Sequence, residues 1–302
     1  MNKNYWDLTD RPHTERKLKI LEEYLYPWAK IIFNQWRKYG HKNFKTAYYI
    51  DCFAGRGKYH KDAKPNSVNG SPLIALNCAE FFQKKFSGEV KLKCIFVETK
   101  KKYVVDLQKF CQQYRGIVDF SIRHADINDE INSIFKEVGN NATLFFVDPW
   151  GLKELKKTTV RDIIGKKGPN DLLLNYICGT PRVLGKVKNM VLKKETNEQL
   201  FKLIDSVSSR LGLKLMLECF DKPEREVLQN WAKEILKDTK LQHSSVYRML
   251  RPSKNEAAYY LLFASRSVVA KKIVDDIFSK KDSETYDGQT KMPFLIKRDF
   301  DL

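Results

Sequence analysis

The chain has 302 residues, 42% of them hydrophobic, and its 55 lysines and arginines exceed its 37 aspartates and glutamates by a formal net charge of +18. This apolar content supports a packed core in one large or two small domains, so disorder is not the default expectation. The positive charge indicates a polyanionic partner, nucleic acid foremost, or an anionic membrane surface. The alternative is a solvated lysine-rich surface, because the basic residues are spread along the chain.

Cysteine spacing and hydropathy indicate the cellular compartment in which the protein is expected. No C-x-x-C pair and no cysteine–histidine ligand pattern occurs, so no zinc site is expected; the cysteines are Cys52, Cys78, Cys94, Cys111, Cys178 and Cys219. Several lie in apolar runs as small core side chains, which is typical of a reducing cytoplasm. The chain starts without an apolar signal region and has no apolar run of 18 residues. We therefore expect a cytoplasmic protein that does not enter a membrane.

The first predicted element is an amphipathic helix over residues 14–36. Its apolar residues recur at helical spacing, with Thr14 as a plausible N-cap and Pro27 as a site for a kink. His13, just before it, either lines a pocket or serves at the cap or surface.

A strand over 47–50 leads into the stretch Asp51-Cys52-Phe53-Ala54-Gly55-Arg56-Gly57. This order predicts a strand, a glycine turn and a helix, with a carboxylate where ligands bind in parallel sheets. Gly55 and Gly57 let the backbone approach a ligand, although an ordinary turn also requires glycine. After a long loop, Ser71 and Pro72 are expected to open the helix, serine as its cap.

Two further acids follow predicted strands. Glu98 ends a strand over 92–97 and is placed to accept hydrogen bonds from ribose hydroxyls, unless it is a surface glutamate. A helix over 100–113 and a strand near 117–122 come next. Asp126 then either binds an adenine amino group or caps the following helix.

The second half contains two near-continuous apolar strands, 143–147 and 171–177, as strands covered on both faces require. The first ends in Asp148-Pro149-Trp150-Gly151. Residues 182–244 are predicted to be a helical insertion that presents basic residues on one side: Lys186, Lys188, Lys193 and Lys194. A hairpin with strands over 245–250 and 257–264 and a helix over 268–278 complete the predicted elements.

Five β-α units and a C-terminal hairpin resemble the class I S-adenosylmethionine-dependent methyltransferases. The resemblance implies an α/β, Rossmann-like fold with a mostly parallel seven-stranded sheet, as one domain over 1–302 with an N-terminal helical extension over 1–46. It also implies that S-adenosylmethionine is held by Asp51, Phe53, Gly55, Gly57, Glu98 and Asp126. Asp148, Pro149 and Trp150 resemble the catalytic motif of the nucleic-acid amino-methyltransferases.

A closer resemblance covers about residues 13–278. Its marks include His13-Thr14, Lys17, Gly70-Ser71-Pro72-Leu73, Phe145-x-Val147-Asp148-Pro149-Trp150-Gly151 and Tyr259-Tyr260-Leu261-Leu262. These are similar to the three-Cys-motif partner proteins, bacterial proteins with a methyltransferase-like fold. The resemblance implies a possible partner protein that carries a three-cysteine motif.

Two positions depart from these patterns. Arg56 stands where the partner family has proline, and an arginine there can meet the cofactor carboxylate or a substrate phosphate. The amino-methyltransferase motif continues with a second proline and an aromatic residue, whereas this chain has Trp150 and Gly151. The aromatic residue that stacks on a flipped base is thus shifted by one position.

The leading hypothesis is methyl transfer to a nucleic-acid base, with Asp148 orienting the target nitrogen and Trp150 offering a stacking face. Asp148 alternatively caps the next helix. A second chemistry is cytosine C5 methylation with Cys178 as nucleophile. The remaining hypotheses are a cofactor- or polyanion-binding partner protein without methylation activity, and methylation of an acidic protein.

Overall fold

The computed structural model describes residues 6–9, 11–61, 64–151, 154–177, 180–211, 213–237, 239–251 and 254–283. Nine strands are assigned within these ranges: β1 Thr46–Asp51, β2 Lys58–Lys61, β3 Lys64–Asn69, β4 Lys91–Glu98, β5 Phe120–His124, β6 Ala142–Val147, β7 Asn170–Ile177, β8 His243–Arg251 and β9 Lys254–Ser265. Seven of them form one sheet in the order β5-β4-β1-β6-β7-β9-β8.

The strand directions divide this sheet into two parts. The pairs β4–β5, β1–β4, β1–β6 and β6–β7 are parallel. The pairs β7–β9 and β8–β9 are antiparallel and form the C-terminal end of the sheet. The order and directions confirm the expected α/β, Rossmann-like class I methyltransferase fold.

The described helices cover both faces of this sheet. They are α1 Pro12–Tyr39, α2 Ser71–Lys85, α3 Lys101–Cys111, α4 Ile127–Val138, α5 Lys157–Gly165, α6 Thr180–Leu192, α7 Glu198–Leu211, α8 Leu213–Glu218, α9 Glu224–Leu236 and α10 Val268–Ser283. Helices α6 to α9 lie between β7 and β8, where the sequence predicts the insertion. The domain division itself stays a prediction.

Alternate residues of the strands enter two separate hydrophobic cores. On β1, Tyr49 packs with α1, α2 and α10 residues, whereas Tyr48 and Ile50 pack with residues of α4, α5 and α9. On β6, Phe146 and Phe145 divide in the same way. The parallel strands are therefore apolar on both faces, which explains their continuous apolar runs.

Chain reversal about β1 creates the crevice that positions the site. From β1 the chain builds outward through β4 and β5, and it then returns to the other side of β1 at β6. The loops that leave β1 and β6 thus diverge. In open sheets this switch point, at the carboxyl ends of the strands, is where ligands bind.

Several local expectations differ from the structure. Helix α1 begins at Pro12 with Arg11 as N-cap, so Thr14 is not the cap, and α2 is capped by Gly70 with Ser71 as its first residue. The predicted loop after Gly57 contains the antiparallel hairpin β2–β3. The third parallel strand, Phe120–His124, begins three residues later than predicted, because this edge strand is only half-buried and lacks a continuous apolar run.

Cysteine burial and hydropathy agree with the sequence patterns. The described cysteines are unpaired and buried: Cys52, Cys78, Cys94, Cys111 and Cys219. Among the residues that the structure describes, no helix combines the length and apolar character needed to cross a bilayer.

Candidate active site at the strand carboxyl ends

The glycine loop after β1 bridges its two neighbouring strands. The backbone N–H of Ala54 donates to Val97 O on β4 at 2.9 Å, and that of Cys52 donates to Phe146 O on β6 at 2.9 Å. Gly55 and Gly57 have φ angles of +64° and +91°, a region that disfavours other residue types. The turn thus requires glycine and is fixed directly over the crevice.

Asp51 lies fully buried at the start of this loop. Its carboxylate accepts hydrogen bonds from the Phe53 N–H at 3.3 Å and the Tyr49 hydroxyl at 3.2 Å. Burial raises the pKa of Asp51 to about 7, against the opposing effect of a hydrogen bond from Ser71. Asp51 therefore titrates near neutral pH, and a cationic ligand group would favour its ionised form.

Glu98 ends the adjacent strand and is almost completely buried. Its Oε2 accepts from the Gly55 N–H at 2.9 Å and its Oε1 from the Lys100 N–H at 2.8 Å. The Thr99 hydroxyl adds a longer bond to Oε1 at 3.5 Å. A carboxylate has about four acceptor sites, so these bonds orient Glu98 and still leave capacity for a hydroxyl group of a ligand.

Asp126 acts as a helix cap. Its Oδ1 accepts from the backbone N–H of Asn128 at 2.8 Å and from the Asn128 side-chain amide at 2.7 Å, at the N-terminus of α4. Of the two roles that the sequence left open, the structure shows capping directly. An adenine contact by Asp126 stays a prediction.

Asp148 is held by one partner on each carboxylate oxygen. The ammonium of Lys17 lies 2.5 Å from Oδ2, and the amide of Asn175 donates to Oδ1 at 2.6 Å. Asp148 does not cap the next helix, because the N-cap of α5 is Lys156. Its orientation therefore comes from α1 and β7.

Lys17 reaches Asp148 from the N-terminal helix through a buried environment. Lys17 is only 6% exposed, and its ammonium lies 5.2 Å from the ring centroid of Tyr259. The Tyr259 hydroxyl donates to the His13 carbonyl at 2.7 Å, and the two rings are 5.9 Å apart. His13 thus lies beside the group that surrounds Lys17.

Trp150 follows buried Pro149 and remains 37% exposed. Its backbone N–H donates to Glu154 Oε2 at 2.6 Å, which fixes the turn after Asp148. Burial raises the pKa of Glu154. The Lys100 ammonium lies 5.3 Å from the Trp150 ring centroid, so the indole has a cation beside it.

The Trp6 indole covers Gly55. A Cβ added to Gly55 would lie 2.4 Å from Cη2 of Trp6, so the face that glycine opens is filled by this ring. A Cβ on Gly57 would instead lie 3.0 Å from Leu107 on α3, which assigns that glycine to helix packing.

Of the predicted substrate-binding cations, Arg56 lies beside the Trp6 ring, 5.9 Å from its centroid, and the lysines lie on the insertion. Arg56 pairs with Asp106 of α3 at 3.2 Å. On the insertion, Lys188 bonds to Asp221 at 2.6 Å, whereas Lys186, Lys193 and Lys194 are exposed. Cys178 lies outside the described residues, so its role as nucleophile stays a prediction.

Three residues of the site carry no role in the sequence interpretation. Lys17 is only one mark of the partner-family resemblance, and its contact with Asp148 joins residues 131 positions apart. Asn175 lies within an apolar strand and Trp6 precedes the first helix. The strand-end acids were recognisable because each follows an apolar run.

Comparison with known proteins adds weak structural likenesses. No family model and no curated protein matches the chain. A Legionella pneumophila protein assigned to the family model DUF519 is 13% identical, with 95% of this chain and 96% of that chain covered and a TM-score of 0.46. An S-adenosylmethionine-dependent methyltransferase from Anabaena variabilis is 10% identical, with 83% and 93% covered and a TM-score of 0.33.

A third solved structure contains a bound cofactor product. It is an O-methyltransferase of Brevibacillus brevis in complex with S-adenosyl-L-homocysteine, 9% identical, with 79% of this chain and 73% of that chain covered and a TM-score of 0.29. At these values the fold assignment rests on the strand order of the chain itself.

The acidic residues fit S-adenosylmethionine, and the glycine loop fits it once the Trp6 ring is displaced. Glu98 has acceptor capacity for ribose hydroxyls, and the buried carboxyl of Asp51, whose pKa burial raises to about 7, lies at the neighbouring strand end. The face of Gly55, by contrast, is in contact with an indole.

Proposed function

We propose that this protein is a cytoplasmic S-adenosylmethionine-dependent methyltransferase that methylates a base of nucleic acid. The observation that supports it most is the carboxylate of Asp148, fixed at the end of β6 by Lys17 and Asn175 beside the exposed indole of Trp150. A base extruded from its stack needs a hydrogen-bond acceptor for its edge and an aromatic face for its ring, and these residues supply both.

Asp148 orients the target nitrogen. Each of its oxygens has one partner and retains acceptor capacity, so the carboxylate can take a hydrogen bond from an N–H of the base. The Lys17 ammonium balances the charge of Asp148 in a poorly hydrated position, and Pro149 restrains the backbone. Methyl transfer depends on alignment, which this rigid arrangement provides.

Glu98, Asp51 and the Gly55–Gly57 backbone would hold the cofactor, with Phe53 and Asp126 at its margin. When bound, S-adenosylmethionine supplies a methyl group activated on a sulfonium. The residues of this chain exclude water, hold the two reactants and align the accepting nitrogen.

Exposed lysines support nucleic acid as the substrate. Lys186, Lys193 and Lys194 extend from the insertion of a chain whose net charge is +18. Phosphate contacts by such residues position a nucleic acid without reading its sequence. Arg56 would need to leave Asp106 to serve this purpose.

A partner protein without methylation activity is the second candidate. It is favoured by the Trp6 ring on Gly55, because a site closed by its own chain needs no cofactor. The resemblance to the three-Cys-motif partner proteins supports the same candidate and would make a three-cysteine protein its partner. Protein methylation is the third outcome of the experiment below.

The experiment supplies S-adenosylmethionine with a labelled methyl group and measures label in DNA, RNA and protein. We expect label in nucleic acid and loss of at least a hundredfold in Asp148→Ala, with affinity for S-adenosylhomocysteine within a few fold of wild type. Label in protein alone, or in no fraction, would reject the proposal. Loss of cofactor binding in Asp148→Ala would show that its role is misassigned.

Lys17→Met provides a second measurement on the same assay. It keeps the aliphatic stem but removes the ammonium beside Asp148. We expect kcat to fall at least tenfold with little change in KM for S-adenosylmethionine, because the orientation of Asp148 is lost. Lys17→Arg keeps the charge and should therefore recover part of kcat. If both variants lose kcat equally and also lose thermal stability, the role of Lys17 is structural only.

A further inference from the structure

Residues 6–9, the N-terminal strap, lie across the glycine-loop side of the site. The backbone N–H of Leu8 donates to the His60 carbonyl at 2.8 Å, and the N–H of His60 donates to the Trp6 carbonyl at 2.6 Å. Asp7 and His60 form an isolated parallel bridge. The strap is therefore docked against β2 of the hairpin that follows the loop.

The strap places one side chain in the site. The Trp6 ring centroid lies 5.0 Å from those of Tyr59 and Tyr103 and 5.2 Å from that of Trp150. The Trp6 residue is 5% exposed and touches the open face of Gly55. A planar ring thus fills the space that a glycine cradle would offer to a ligand.

The strap is attached locally. Trp6 and Leu8 are buried, but they lie outside the two hydrophobic cores that hold the sheet and its helices together. The contacts described above involve the glycine loop, the β2 strand, Tyr103 and Trp150. The strap can therefore release without opening either core.

We propose that the N-terminal strap is a displaceable cover of the cofactor site, in which Trp6 competes with S-adenosylmethionine for the face of Gly55. This inference rests on the proposed function. It follows that the apparent affinity for cofactor is lowered by the fraction of molecules whose strap is closed. Trp6 thereby sets how much cofactor is needed to open the site.

The bridge between Asp7 and His60 allows the strap to be locked. Neighbouring strands lie about 4.8 Å apart, within the Cα separation of a disulfide, so Asp7→Cys with His60→Cys should cross-link on oxidation. The described native cysteines are buried and should not compete. Asp7→Cys alone, treated identically, controls for other effects of oxidation.

Calorimetry with S-adenosylhomocysteine then compares the oxidised and reduced double variant. We expect the oxidised form to bind at least tenfold more weakly than the reduced form, and Trp6→Ala to bind more tightly than wild type. Equal binding by both redox forms would reject the strap while leaving the proposed function intact, and weaker binding by Trp6→Ala would make Trp6 a cofactor contact. No binding by any form would reject the proposed cofactor itself, and the strap inference with it.

Discussion

At the scale of single residues, two acids of the site, buried Asp51 and half-buried Asp148, have different surroundings. Asp148 has a cation against it, whereas Asp51 has hydrogen-bond donors and no cation among its described contacts. Burial therefore raises the pKa of Asp51 from its ordinary value of 3.8 to about 7. A cationic ligand group beside Asp51 would therefore favour its ionised form.

The buried carboxyl of Asp51 predicts a pH-dependent effect of Asp51→Asn. Between pH 4 and 7 the folded protein holds this proton more strongly than the unfolded chain, so wild-type stability falls as pH rises through that window. At a pH above both values, the difference between the folded and unfolded pKa of Asp51 corresponds to roughly 4 kcal/mol of unfolding free energy. Asn resembles the protonated acid, so the gain in stability from Asp51→Asn should be smaller at pH 5 than at pH 8.

Chemical denaturation at several pH values measures this effect. Asp171→Asn is the matched comparison, because burial raises the pKa of Asp171 only to about 6. The stability difference between Asp171→Asn and wild type should therefore stop increasing about one pH unit below the point at which that of Asp51→Asn does. A difference for Asp51→Asn that does not change between pH 5 and pH 8 would contradict the assignment.

At the scale of elements, the sequence predicts best where burial is two-sided. Strands β1, β4, β6 and β7 agree with the predicted apolar runs within one or two residues, because both faces of each are covered. The hairpin β2–β3 has no such run: its residues are half-buried or exposed and include several lysines. Strand β2 also bonds through His60 to Trp6 and Leu8, and local sequence patterns do not reveal such a contact.

The cap of α4 gives a prediction at this scale. Asp126→Ala should lower the free energy of unfolding by about 1 kcal/mol, because the Asn128 N–H loses its acceptor. Asp126→Ser, which keeps a capping oxygen, should stay within a few tenths of a kcal/mol of wild type. Thermal unfolding checks both values. A tenfold loss of S-adenosylhomocysteine affinity in Asp126→Ser at unchanged stability would add the adenine contact to its role.

At the scale of the whole molecule, the net charge of +18 predicts salt-dependent binding of nucleic acid. Six phosphate contacts would give a slope near −5 for log K against log salt on duplex DNA, or about a thousandfold loss between 50 and 200 mM salt. Reversal of Lys186, Lys188, Lys193 and Lys194 to glutamate should lower affinity and slope alike for every sequence. Fluorescence anisotropy across a salt series measures both.

The matched control changes the same number of charges elsewhere. Lys84, Lys85, Lys91 and Lys136 are exposed at the ends of α2 and α4 and at the start of β4, on the side away from the strand carboxyl ends. Changing these four lysines to glutamate should lower the slope less than the same change of the four insertion lysines. Equal effects of the two sets would make the charge a general surface property, and binding that ignores salt would contradict a nucleic-acid partner.

The fold could be predicted almost entirely from the sequence, whereas the site could be predicted only in part. Strand-end acids follow their strands directly, so Asp51, Glu98 and Asp148 were recognisable as a group. Lys17 and Asn175 act on Asp148 through contacts that span 131 and 27 positions of the chain. Such partners are set by tertiary packing, which no local pattern records.

The contacts of α1 determine when the site is completed during synthesis. Lys17 leaves the ribosome early, but Asp148 follows 131 residues later, and Tyr259, whose hydroxyl bonds to His13, follows 246 residues after that histidine. Until β9 emerges, the nascent chain also lacks Phe263, against whose ring the buried Tyr24 of α1 packs with the two centroids 5.0 Å apart. The first helix therefore completes its contacts only after the last elements emerge, so the candidate site is assembled only in the whole domain.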